Sequence, residues 1–68
     1  MFKVFLDAVR VNTSMSQEKW AKELSVTVGT VKSWEAGKTQ PRFDQVQKMS
    51  ELSGIPLDYI ATRSNPTI

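Results

Sequence analysis

The chain contains no histidine and no cysteine. That removes the commonest general base, the commonest metal ligand, and every disulfide or thiolate–metal site. Its carboxylates and lysines are scattered and form no paired constellation of the kind catalysis needs. Neither an enzyme nor a metal or other cofactor is expected. What remains is a set of groups suited to binding. Hydroxyls and amides stand at Ser16, Gln17, Thr27, Thr30, Ser33, Thr39 and Gln40, and cations at Lys32, Lys38 and Arg42. From Gln17 to Arg42 there are five cations (Lys19, Lys22, Lys32, Lys38, Arg42) and three anions (Glu18, Glu23, Glu35). From Phe43 to Ile60 there is one cation (Lys48) and three anions (Asp44, Glu51, Asp58). The net charge is only +2, but a basic end and an acidic end fit one face meeting a polyanion. The alternative is ordinary surface scatter.

The elements that must position these groups are readable around them. Ser16 can cap a helix, its hydroxyl accepting from a free amide of the next turn. The helix that follows has Trp20, Ala21 and Leu24 on its apolar side. Thr27 can cap a second helix, over about 28–36, with Val31 and Trp34 inward. Gly37 supplies a left-handed stop. Ala21 is small where two helices joined by a short turn must approach closely; it is also simply a good helix former. The arrangement reads as a helix-turn-helix followed by a polar, basic loop, which Pro41 keeps from continuing as helix.

Around this motif, Phe2, Phe5, Leu6 and Val9 fit one face of a first helix from about Phe2 to Val11. Alternation at Phe2, Val4 and Leu6 would permit a strand, but Phe5, Ala8 and Val9 break that period. Met15 precedes the Ser16 cap and can staple the second helix to the core. A fourth helix is predicted from about Phe43 to Leu52, with Phe43, Val46, Met49, Ser50 and Ser53 inward and Gly54 ending it. A short fifth should cover Leu57 to Ala61 after Pro56. The expected core is Phe5, Leu6, Val9, Trp20, Ala21, Leu24, Val31, Val46, Met49, Leu52, Ile55 and Ile60, with Trp34 also a packing residue. At 68 residues this is one domain near the lower limit for folding without staples, read as residues 1–61 with a loose polar tail at 62–68. No apolar run approaches membrane-spanning length, and the start lacks a signal-peptide pattern.

The run SQEKWAKELSVTVGTVKSWEAGKTQP resembles the Cro/C1-type helix-turn-helix family of phage repressors and bacterial regulators. Ser16, Gln17, Ala21, Leu24, Val26, Trp34, Glu35, Gly37 and Pro41 match the family pattern, and Trp20, Thr27 and Val31 are near-equivalents. Leu52-Ser53-Gly54-Ile55 followed by Asp58-Tyr59-Ile60 matches its later part. Ser25 departs from the usual turn glycine, Ala36 from the usual asparagine, and Val28 and Gly29 occupy positions that are often polar.

The resemblance implies an all-α, five-helix, lambda-repressor-like DNA-binding domain, cytoplasmic in a bacterium or in a phage's host. It implies duplex DNA as the partner, with Thr27, Val28, Gly29, Thr30, Lys32 and Ser33 against base edges in the major groove. Ser16, Gln17, Lys38, Thr39, Gln40 and Arg42 would lie against phosphates. It further implies an ion pair between Arg10 and Glu35 that fixes the second helix of the motif on the core. Leu57, Tyr59 and Ile60 are candidates for a homodimer surface matching a palindromic operator, or else they close the core. The leading expectation is a small stand-alone transcriptional regulator. The alternative is a protein-interaction module of the same fold, of antitoxin or antirepressor type. Neither a membrane nor a metal is expected as a partner.

Overall fold

Eight buried side chains organise the molecule: Leu6, Val9, Trp20, Ala21, Leu24, Val31, Trp34 and Met49. A computed structural model describes residues 3–62 and places these side chains on four helices, except Leu24, which caps the C-terminal end of the second. The helices are α1 (Leu6–Asn12), α2 (Gln17–Glu23), α3 (Val28–Ala36) and α4 (Phe43–Ser53). Val4, Met15, Val26, Val28, Leu52, Ile55 and Ile60 pack around that centre, partly buried. Trp20 and Met49, at 1% and 0% exposure, are its largest fully buried side chains. With so few core residues, the two large side chains carry much of the apolar burial that stabilises the domain.

The helix boundaries follow from local chemistry. Ser16 Oγ accepts from Lys19 N at 3.1 Å and starts α2. Thr27 Oγ1 accepts from Thr30 N at 3.2 Å and starts α3. Gly37 (φ 80°) and Gly54 (φ 77°) close α3 and α4 in the left-handed region. There Lys38 N reaches back to Ser33 O at 2.9 Å and occupies an otherwise orphan carbonyl.

Two expectations about the ends of the domain need correction. The first helix begins at Leu6, and Phe2, where it was expected to start, lies outside the described residues. Val4–Phe5 form a short strand, β1, pairing in parallel with β2 at Ile60–Ala61, Val4 opposite Ile60 and Phe5 opposite Ala61. The fifth helix is a single 3-10 turn, Leu57–Tyr59, closed by Tyr59 N to Pro56 O at 2.9 Å before the chain extends into β2. The described residues thus form four α-helices, one 3-10 turn and a two-stranded parallel sheet, rather than five helices. The cause is shared: extended backbone at each end finds its hydrogen-bond partner in the other, an outlet that a terminal helical turn lacks. Residues 63–68 of the predicted tail lie outside the described residues.

Two residues expected to face inward do not. Phe5 is 40% exposed, because in β1 its side chain lies opposite the inward Val4. Phe43 is 68% exposed. The first turn of α4 overhangs the core, with Asp44 exposed as well and Val46 only half-buried, so Met49 alone of the expected stripe reaches the centre.

Candidate nucleic-acid interface

The turn between α2 and α3 is set by backbone geometry. Ser25 takes φ 59°, a left-handed conformation that an L-residue adopts at a cost of about 1 kcal/mol. Ser25 N donates to Lys22 O at 3.2 Å, and Val26 N to Ala21 O at 3.0 Å. Ala21 is buried at the join, where a bulkier side chain would hold the two helices apart.

Given that turn, the faces of α3 sort themselves. Val31 and Trp34 are buried, and Val28 is half-buried against the core. Gly29, Lys32 and Ala36 are exposed, and Thr30 and Ser33 half-buried. Of the six residues expected at base edges, Thr27, Gly29 and Lys32 are therefore exposed. Val28 divides between packing and surface. Thr27 caps the helix, and its hydroxyl lies 3.0 Å from that of Thr30. Ser33 offers its carbonyl to Lys38 N and, at 3.4 Å, to Thr39 N.

The orientation of α3 is held at its other end by charge. Arg10 Nε donates to Glu35 Oε2 at 2.7 Å, and the same guanidinium reaches Glu35 Oε1 at 3.4 Å and Met15 O at 2.9 Å. Gln17 Nε2 donates to Glu35 Oε1 at 3.0 Å. One carboxylate thus joins α1, the start of α2 and the end of α3. Planar guanidinium and carboxylate in two-point contact fix direction as well as distance. Gln17 was expected against a phosphate. Its side-chain amide donates one N–H to Glu35, and the half-buried residue stands at the first position of α2.

The loop after α3 exposes Lys38, Thr39, Gln40 and Arg42. Arg42 Nε lies 3.6 Å from Asp44 Oδ1, an exposed pair of little energetic weight. Arg42 N donates to Gln45 Oε1 at 2.7 Å, which anchors the loop to the first turn of α4. Ser16, the remaining phosphate candidate, is exposed with its hydroxyl engaged as the α2 cap. Of the dimer candidates, Tyr59 is 42% exposed, Leu57 is half-buried, and Ile60 packs on the core through β2.

Sequence reasoning missed the Gln17–Glu35 bond, the Met15 carbonyl as a partner of Arg10, and the left-handed Ser14 (φ 61°). Only the polar Asn12-Thr13-Ser14 run hinted at the last; the other two join residues that no local period connects. Among the described residues no three metal-binding side chains group together, and no helix is long and apolar enough to cross a membrane.

A family model described as helix-turn-helix matches residues 6–60. A cryptic phage CTXphi transcriptional repressor, RstR, of Vibrio cholerae is 26% identical over 68 residues, covering 100% of this chain and 61% of the relative. The chain thus spans less than two thirds of that relative's length. No solved structure matches it.

Proposed function

The chain belongs to the Cro/C1-type helix-turn-helix family, and from that premise we propose that it is a transcriptional regulator binding duplex DNA in a sequence-specific way. The observation that carries this is the exposed side of α3, with Lys32 outward and the helix held at both ends. The Ser25 turn sets one end and the Arg10–Glu35–Gln17 cluster the other. A rigidly mounted helix of this kind can lie in the major groove with its N-terminal half toward base edges. Lys32 then reaches guanine O6 and N7, or a neighbouring phosphate. Lys38, Thr39, Gln40 and Arg42 follow the sugar-phosphate backbone, joined by Ser16 and the Gln17 amide at the start of α2. Repression is the favoured output, by analogy with the phage repressor above. The work is binding and not catalysis, in the cytoplasm of a bacterium.

Affinity for a specific site calls for two such heads. A homodimer on a palindromic operator would place two α3 helices in successive major grooves. Tyr59, with Leu57 beside it, is the candidate surface; Ile60 contributes through β2 rather than by direct contact.

Selection from a randomised duplex pool, followed by titration of the winning duplex across salt, tests the proposal. A palindromic consensus with affinity falling steeply with salt is expected. A pool that yields no consensus would favour the protein-interaction reading.

A further inference from the structure

Gly29 has no reason within the fold to be glycine. It sits in the first turn of α3, and the only glycines with positive φ among the described residues are Gly37 and Gly54. A Cβ at Gly29 would meet only Thr27 Oγ1, at 3.8 Å, an ordinary van der Waals contact. Alanine would fit, and in a helix it would lose less chain entropy on folding. Gly29 therefore weakens α3 without serving its conformation or its packing. The remaining place for a reason is outside the chain, and Gly29 is exposed one helical turn from Lys32.

The groups around Gly29 indicate what approaches. Thr27 Oγ1 accepts from Thr30 N and lies 3.0 Å from Thr30 Oγ1, so these hydroxyls already serve each other and the helix cap. Val28 packs on the core. Gly29 itself brings no side chain that could bond a base edge. Recognition at this point is by fit rather than by a side-chain hydrogen bond. In the major groove the base group read by apolar contact is the 5-methyl of thymine.

Resting on the regulator reading above, we infer that Gly29 is a specificity-determining position whose missing side chain admits a thymine 5-methyl against the first turn of α3. A T·A pair is then selected at that place in each half-site. Lys32, one turn on, reads or anchors the neighbouring position.

The test uses the full chain, its selected duplex, and copies of that duplex in which single thymines are replaced by deoxyuridine, which removes only the methyl. One such replacement is expected to weaken wild-type binding about fourfold per half-site, the worth of one buried methyl-sized group. Gly29→Ala is expected to melt a few degrees higher than wild type. It should bind the thymine duplex more weakly and gain affinity on that same replacement, which relieves the clash between the added Cβ and the methyl, and Gly29→Ser should bind like Gly29→Ala. If Gly29→Ala binds the thymine duplex as tightly as wild type, the inference is overturned. It is also overturned if Gly29→Ala weakens thymine and uracil duplexes equally, since that would signal approach of the phosphate backbone instead. In both cases wild-type selectivity for the duplex keeps the regulator reading intact. A wild-type chain with no preferred duplex overturns that reading, and this inference with it.

Discussion

Arg10 and Glu35 stand 25 residues apart in sequence and 2.7 Å apart in space. Their side chains are only 17% and 10% exposed, so the pair is shielded from water on most sides. Such a pair adds little net stability, because desolvation offsets the attraction, but removing one partner strands the other. Arg10→Ala is therefore expected to cost about 3 kcal/mol in urea-induced unfolding. Arg10→Met should cost less, since its chain refills the space left by the arginine stem. Pairing Arg10→Met with Glu35→Leu should recover most of the loss. Equal losses for the alanine and methionine variants would show that packing of the arginine stem contributes nothing.

Gln17 belongs to the same cluster, and its effect on DNA should be indirect. Gln17→Ala removes one hydrogen bond to Glu35, worth about 1 kcal/mol of stability. As a neutral residue it releases no counterion, so the salt dependence of duplex binding should stay unchanged while affinity falls. A changed salt slope would mean that the cluster rearranges its charges when Gln17 is lost.

Ser25 carries strain that a glycine would relieve. Its φ of 59° lies where only glycine is free of a Cβ penalty. Ser25→Gly is expected to raise stability by about 0.5–1 kcal/mol, and Ser14→Gly, at φ 61°, by a similar amount. Ser25→Val should do the reverse by more, because a β-branched side chain tolerates that region worst. Thermal melting of the three variants reads all of this directly, and a destabilised Ser25→Gly would contradict it.

The turn at Ser25 also marks how far the sequence could be read. Caps and stops are local, so Ser16, Thr27, Gly37 and Gly54 announce helix ends by residue type alone. The inward residues of α2 and α3 follow from helical spacing, and they are buried. Local patterns fail where two distant segments decide the outcome together. Val4–Phe5 is too short to show a period, and its partner Ile60–Ala61 lies at the other end of the domain. The helical reading of both ends lost to that pairing. The Gln17–Glu35 bond was hidden for the same reason, since each residue alone reads as an exposed polar group near a helix terminus.

Lys32 and Arg42 should divide the work of binding. Both are exposed, one on the outer side of α3 and the other at the end of the loop. Lys32→Ala is expected to change which sequences a randomised pool yields, as loss of a base contact does. Arg42→Ala should weaken all duplexes alike and reduce the salt slope by about one per site. A selection in which Lys32→Ala returns the wild-type consensus would remove it from the base-reading set.

Phe43 and Met49 occupy one predicted stripe of α4, yet they are 68% and 0% exposed. The two alanine variants should separate accordingly. Met49→Ala opens a cavity in the core cluster, at a cost of about 2–5 kcal/mol. In a domain of this size, where total stability is of that order, the variant should be largely unfolded at 37 °C. Phe43→Ala removes a ring that already faces water and should change stability by less than about 0.5 kcal/mol. Circular dichroism melts of the two variants give the comparison. A large loss for Phe43→Ala in the isolated chain would mean that the first turn of α4 folds back onto the core.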